Sequence, residues 1–579
     1  MSHSSNIFEQ RKVQIKNKSG FDLAHSNFLT QTCGTLTPVC VVPMLPNDSI
    51  SLGFMSQVKL PPMATSFYGR VDYRLEAFFV PYRILWGGWE NFVTMPTNDP
   101  YGTTTIRPKY LPNLLFVGNG TDNDFVNRVK DTFKRGSLAD YLGFKGVPAI
   151  AKTASAKFAV NNIMPFLAYH KIYDDWYRNA NIQKPVFARS ESPTKSLASL
   201  PWNPKYTTVI AATTAVSDSV DGNNGWSDAE VTGDSDDSDI LKQFGFNLNF
   251  RISDTKVLPT FNDGSDLFTL RQRNWSKDYF TTATLYPQQN GMTGGAGVTS
   301  HIAADSTTFT ISQLRQANIL QKWLERNNIA GERYADQIRA TFGVLPSDAM
   351  LDRPIFLGGS NFGIYTNSIA QTAGGAGNSS NPFRGEVGSD AGQTSGFGKD
   401  SLIDKFTATE HGIIMVLGSI VPHQTYSTGS SRMFGMSTFA DIPNPMFEGL
   451  GEEAVYKEEL TPNMDVVNQV FGYTQQYAWM KYMNDEVHGL LVDDETLQNF
   501  CLQRSFDKTV KLDSSFLQIP SNFLDQVMAV AANVSGFCCW NNMYFDIKKT
   551  SLLSQYTIPT LGEQPNTHTE TVPNTGRYL

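Results

Sequence analysis

Between Val71 and Phe79 apolar and polar residues alternate. Val71, Tyr73, Leu75, Ala77 and Phe79 fall on one side of a two-residue repeat, and Arg70, Asp72, Arg74 and Glu76 on the other. Strand side chains point alternately to opposite faces, so the pattern predicts a half-buried strand. Pro81 has no N–H to donate and ends it. Ile84, Leu85, Trp86, Trp89 and Phe92 then recur at near-helical spacing, which predicts a short helix packed beside the sheet. A turn at Pro46-Asn47-Asp48 precedes a second alternating run, Ile50, Leu52 and Phe54, heading for Pro61-Pro62. Gly412 to Val421, bounded by Pro422, is continuously apolar and predicts a strand buried on both faces. Val527–Ala532 and Gly536–Phe545 predict a closing hairpin about Asn533 to Gly536, bringing early and late strands into one sheet.

Pairing of the first strands with the last is what a jelly roll requires. The expected class is therefore mainly β: an eight-stranded antiparallel jelly roll, or β-sandwich, with large helical and loop insertions. Residues 1–20 are polar and locally basic and read as an arm. Residues 21–579 read as one elaborated domain, with the stretch from about 82 to 400 carrying helices and surface loops. Pro165 suits a helix start, ahead of Phe166, Tyr169, Tyr173, Trp176 and Tyr177 on one stripe, for which core packing is the expectation over a base-stacking platform. Ser312 to Phe342 predicts two helices split at Gly331, with Leu314, Ala317, Leu320 and Leu324 on one face and Tyr334, Ile338 and Phe342 on another. Residues 207–240, 286–310 and 372–400, rich in Gly, Ser, Thr, Asp or Asn, read as surface loops.

The 579-residue chain is 40% hydrophobic and 12% aromatic, enough for a substantial core, and its 18% charged fraction suits a surface covered by neighbours. A net charge of -8 means that any contact with nucleic acid must be local. Cys33, Cys40, Cys501, Cys538 and Cys539 are scattered and form no CxxC pair, so buried reduced thiols are expected. Met1-Ser2-His3-Ser4-Ser5-Asn6 has no apolar run that would mark a secretion leader, and no apolar stretch is long enough to span a bilayer, so assembly in a reducing cytoplasm is expected.

Catalytic patterns fail one by one. Gly358-Gly359-Ser360-Asn361-Phe362 has Phe362 where a nucleophile elbow needs its second glycine. Gly392 to Asp400 lacks the spacing of a phosphate loop and reads as a glycine-rich loop only. His411 and His423 have no metal-binding spacing around them and read as structural. Glu452-Glu453 and Glu458-Glu459 are adjacent pairs whose members point apart. The acidic run Asp234-Ser235-Asp236-Asp237-Ser238-Asp239 lacks the glycine and glutamate of a calcium loop and reads as solvated. No enzyme, cofactor or metal is expected.

Taken together, the segment from Val71 to Phe92 and Phe21-Asp22-Leu23-Ala24-His25-Ser26-Asn27 resemble the major capsid protein of microviruses, the tailless single-stranded DNA phages, and their gokushovirus-like branch in particular. Further blocks follow in order: Pro165 to Asn179, Asp278 to Ala283, Leu314 to Ala317, Leu324 to Arg326, Phe342 to Val344, Arg353 to Gly359, Glu410 to Gly412, Leu450 to Glu453, Phe471 to Tyr473 and Tyr556 to Pro559. The resemblance implies the jelly roll and a subunit that self-assembles into a small icosahedral (T=1) virion capsid around single-stranded DNA, in a host bacterium. It also implies a small basic DNA-packaging protein, a DNA pilot protein and an internal scaffolding protein as partners, and a host-surface receptor, with a glycan among the candidates; no membrane partner is expected. Relatives carry a threefold protrusion after the segment matching Tyr286-Pro287-Gln288; here that insertion is short, and residues 188–270 become the expected outward decoration.

Assembly needs several specific patches per subunit, and Trp and Tyr dominate interface hot spots. The candidate anchors are Trp86, Trp89, Trp176, Tyr177, Trp323, Trp479 and Tyr482, most of them expected to prove core. The candidate DNA contacts are Arg11, Lys12, Lys16 and Lys18, with a solvated tail as the competing expectation. A secreted β-sandwich glycan-binding or glycan-cleaving protein is the alternative function, on the strength of aromatic richness and polar loops.

Overall fold

A computed structural model describes residues 18–86, 89–94, 129–146, 157–189, 265–286, 347–370, 390–528 and 537–555, apart from isolated positions, with a few shorter pieces between them. Its centre is an antiparallel sheet. The strands are β1 (Ser19–Asp22), β2 (His25–Gln31), β3 (Thr37–Met44), β4 (Ser49–Lys59), β5 (Val71–Pro81), β6 (Ile355–Ala370), β7 (Asp390–Thr407), β8 (Gly412–Pro422) and β11 (Cys539–Ser551). Hydrogen bonding runs β1–β11–β4–β7–β6–β5–β8–β3, with β2 continuing the line of β1 along β11, so nine segments fill eight strand positions. The sheet curls until one face of all these strands encloses a single core that includes Val39, Phe54, Tyr73, Leu75, Leu402, Val416 and Phe545. The jelly-roll expectation holds, with the two sides continuous rather than separate.

The outer face of β5, β8 and β3 is covered by a helical layer, and this changes the reading of β5. Its polar face is not solvated: Asp72 is buried and Glu76 half-buried. Tyr73, Leu75, Ala77 and Phe79 enter the sheet core, while Phe78 and Val80 enter a second core under α3 (Met164–Ile172), the helix that follows α1 (Trp89–Thr94) and α2 (Leu138–Tyr141). β8 divides in the same way, Ile414, Val416 and Ile420 facing one core and Ile413, Met415 and Leu417 the other. That is why its run is continuously apolar. α3 docks through Tyr169, whose hydroxyl donates to the Leu36 carbonyl at 2.7 Å and accepts the Arg271 amide at 2.8 Å. His170 is fully buried beside it, bonded to the Leu267 carbonyl at 2.9 Å, and accepts from Arg271 at 3.0 Å. Burial and the Arg271 charge push its pKa well down, so it packs as a neutral ring.

Other expectations are corrected. Asp390 to Asp400 is no loop: it is the first part of β7, with Gly392, Thr394, Gly396 and Gly398 facing inward. The glycines are small because neighbours are large; a Cβ on Gly398 would lie 2.2 Å from the Phe362 ring. Ile355–Ala370 and Asp390–Asp400, inside the stretch read as carrying helices and surface loops, are strand residues of the main sheet. Of the predicted closing hairpin, β11 is the strand found among the described residues, and residues 529–536 lie outside them. Val527 lies in a turn and Met528 makes a lone bridge to Met63, while β11 pairs with β1, β2 and β4 instead. Ser19 and Gly20, at the end of the stretch read as an arm, pair with Ser551 and Thr550 in β1, and residues 1–17 lie outside the described residues.

The chain between β8 and β11 forms a third body that the sequence reading passed over. Two strands, β9 (Glu452–Tyr456) and β10 (Val470–Gln475), pair antiparallel within it. Tyr279, Phe280, Tyr426, Val455, Phe471 and Phe516 form its own core. All five cysteines are buried and free, as expected. Among the described residues, no helix is long and apolar enough to cross a membrane and no group of His, Cys, Asp or Glu could hold a metal. Apart from Thr208–Val209, which pair with Ala188–Arg189, and Tyr286, the loop expectations at 207–240 and 286–310 lie outside the described residues, as do the acidic run 234–239 and most of 188–270 and 312–342.

Candidate assembly surfaces

Polar residues of β5 tie the three bodies together. Arg273 donates to both Glu76 carboxylate oxygens, at 2.6 and 2.9 Å, and to Ser419 Oγ at 3.1 Å, and the Tyr177 hydroxyl also donates to Glu76. Burial pushes the Glu76 carboxyl up, but Arg273, Tyr177 and Arg74 outweigh it and hold it below the usual range. His423 reaches Asp72 at 3.2 Å from the strand beside. The polar side of the repeat is thus an internal joint.

Most of the aromatic anchors are spent inside the chain. Trp86 is buried in the second core, and Trp89, Trp176 and Tyr177 pack against it. Trp89 lies edge-on to His411 at 5.6 Å, and Trp176 Nε1 donates to the Pro354 carbonyl at 2.9 Å. Trp479 packs against the third core. Tyr482 is the anchor candidate that stands open, at 58% exposure. Trp323 lies outside the described residues, as do Arg11, Lys12 and Lys16; Lys18 is exposed at the start of β1.

Two apolar surfaces were missed. The first lies on the third body. Met433 and Phe434 sit in a single turn Arg432–Gly435, Phe439 in Phe439–Asp441, and Met446 in Pro445–Leu450; Met480, Tyr482, Met483 and Leu490 follow further along. Met483 is 96% exposed, Met446 87% and Phe434 82%. The turns are pinned. Arg432 bonds the Ala454 carbonyl and Glu459, each at 3.0 Å, the Asn444 amide donates to the Tyr477 hydroxyl, and Lys481 pairs with Glu448 at 2.8 Å. Large apolar side chains held out on pinned turns mark an interaction surface, and methionine adapts readily to a partner. The only sequence signal was apolar residues without a period of 2 or 3.6, set among Gly, Pro and Asn.

Beneath these turns sits a carboxylate pair. Glu459 accepts from Arg432, from the Tyr279 hydroxyl at 2.9 Å and from the Tyr456 amide at 3.0 Å. Burial raises its pKa. Burial also pushes Glu453 up to about 7, Arg432 pulling against the rise and Glu459 adding to it. Adjacent glutamates do point apart, as predicted, but one from each pair converges on Arg432.

The second surface is the outer face of β2, β11, β4, β7 and β6, which the helical layer leaves bare. Phe28, Trp540, Tyr544, Met55, Phe397 and Tyr365 stand on it at exposed positions. Cross-strand register aligns them, Phe28 with Asn542, Tyr544 with Met55 and Gln57 with Phe397.

The family model for the capsid protein (F protein) matches residues 11–561. The chain is similar to capsid protein VP1 of Chlamydia phage 1, at 25% identity over 96% of this chain and 98% of the relative. It is also similar to capsid protein VP1 of Bdellovibrio phage phiMH2K, at 24% over 89% and 90%, and of Spiroplasma virus 4, at 22% over 92% and 92%. The glycan-protein alternative gains no support. With a family match over nearly its whole length, the chain belongs to the phage capsid protein (F protein) family.

Proposed function

We propose that this chain is the subunit of a T=1 icosahedral shell enclosing a single-stranded DNA phage genome, and that its activity is the closure of that shell. The observation that carries the reading is the third body's open apolar surface. The chain has three cores of its own, so residues such as Phe434, Met446 and Met483 are not left out for want of an interior. An interface of standard size buries about 800 Å² on each partner, and a pinned cluster of methionine and phenylalanine supplies the fully desolvated centre that such a contact needs.

Around that shell the reading places a basic packaging protein, a pilot protein, an internal scaffolding protein and a host-surface receptor, and it gives the arm bearing Arg11, Lys12, Lys16 and Lys18 an inward, genome-facing role. Assembly in the bacterial cytoplasm fits five free buried thiols. Electron microscopy and sedimentation of the purified full chain test the central claim. Wild-type material gives uniform shells, and Phe434→Glu with Met446→Glu gives folded subunits that remain unassembled. Uniform shells from the double variant would remove the third body from the interface, and wild-type protein that never assembles, alone or with the internal scaffolding protein, would remove the function itself.

A further inference from the structure

The bare half of the sheet meets the segment 129–146 in a groove of about 1370 Å³. One side is the outer face of β2, β11 and β4. There Trp540 pairs with Lys59 and Thr30, and Asn542 with Gln57 and Phe28. The other side is the turn before and after α2 (Leu138–Tyr141), with Lys134, Arg135 and Lys145. Gly136, at φ +77, lets the chain double back there, and Ser137 caps α2 by accepting the Asp140 amide. The Tyr141 hydroxyl donates to the Thr30 carbonyl at 2.6 Å and ties the two sides together.

The charge of this groove is opposite to that of the chain. Lys59, Lys134, Arg135 and Lys145 line it against a single carboxylate, Asp140, which Arg135 and the Gly136 amide already hold at 3.0 Å each. Among the described residues, no carboxylate pairs with Lys59, Lys134 or Lys145. In a chain of net charge -8 this is a local excess of positive charge. The rings are the second part of the chemistry. Phe28 is 74% exposed, Trp540 is 41% exposed and Tyr141 is half-buried, all lining the groove, with the amides of Gln57 and Asn542 free on the same face.

Resting on the capsid reading above, we infer that this groove binds a segment of single-stranded DNA, its phosphates on Lys59, Lys134 and Lys145 and its unstacked bases against Phe28 and Trp540. Cations tracking a backbone beside exposed rings are what single strands require, and duplex DNA offers no open base faces to stack. A basic packaging peptide is the wrong charge for the site. An acidic peptide could use the lysines but would leave the rings idle.

The test uses the full-length chain and a fluorescent oligothymidylate, followed by anisotropy across a salt series. Lys134→Glu with Lys145→Glu should weaken binding about tenfold and lower the log–log salt slope by about 1.4, or about 0.7 for each lost phosphate contact on a single strand. Trp540→Ala should weaken binding about tenfold with the salt slope unchanged, and Trp540→Phe should restore it. Lys511→Glu, an exposed charge on the third body, should do neither. Ultraviolet crosslinking of bromodeoxyuridine oligonucleotide to wild-type protein should map to peptides holding Phe28, Tyr141 or Trp540, a readout that no misfolded variant can confuse. Unchanged affinity in the lysine variant, crosslinks confined to other peptides, or equal competition by polyglutamate would each overturn the groove assignment. If such a result comes from chains that still form shells, the capsid reading stands and only the groove falls.

Discussion

At the residue scale, the period-two pattern of β5 located the strand and misjudged its surroundings. Arg74 and Glu76 fall on the polar side of the repeat, but the helical layer closes over them and makes the polar side a joint. Arg273→Ala leaves Glu76 without its main partner, at a cost of about 3 kcal/mol for a charge stranded in a buried pair. Urea unfolding measures it, and the double replacement Glu76→Leu with Arg273→Met should recover most of the loss. The carboxylate pair of the third body responds to pH in a stated direction. Glu453 binds its proton more tightly in the folded state, so its contribution is complete below pH 4.5 and is lost as pH rises towards about 7. Thermal melts at pH 5 and pH 8 should therefore show a smaller drop in Tm for Glu453→Gln than for wild type; an equal drop in the two would place the titration elsewhere. Neither Arg273 nor Arg432 could be matched to its carboxylate from sequence, because 197 and 27 positions separate Arg273 from Glu76 and Arg432 from Glu459.

At the element scale, a strand is recognised by what its inward face can bury, and small residues hide that face. β8 was legible because both of its faces carry large apolar side chains. β7 was not, since glycine and threonine at its inward positions give the composition of a loop. Their size is set by the strands opposite. Gly358 on β6 shows the constraint most sharply: a Cβ there would lie 2.1 Å from the Leu402 carbonyl oxygen, at a shift in the β5–β6 register. Gly358→Ala must move backbone rather than a flexible side chain, and an overpacking cost of about 2 kcal/mol is expected, read as a lowered urea midpoint. A midpoint equal to wild type would show that the sheet has slack at this register shift. The predicted hairpin has no free edge of β11 to form on: Val527 to Ala532 is as apolar as a strand, but β4 takes one edge of β11 and β1 and β2 take the other.

For the whole molecule, the described residues form three cores and leave two apolar surfaces exposed beside them. Interface residues are hard to find in sequence because a tryptophan reads the same in a core as at a contact. Of the anchors chosen for their chemistry, Trp86 is interior and Tyr482 open, and only burial separates them. The arm offers a test at this scale. Deleting residues 1–18 removes Arg11, Lys12, Lys16 and Lys18 but leaves β1 to pair with β11, so subunit stability should hold while DNA per particle falls. Particles with a full complement of DNA would take the arm out of genome binding.

The amino-acid sequence by itself determined the class of this protein. Period-two alternation, prolines at strand ends and a fully apolar β8 prescribe a β-sandwich, and the order of short motifs along the chain prescribes the family, because both are local signals that survive without knowing any neighbour. Tertiary structure alone decided which polar residues are buried, which aromatic residues remain outside and where positive charge gathers on an acidic chain. These depend on pairs brought together from distant positions, and burial is a property of the assembled layers that no single stretch of residues carries.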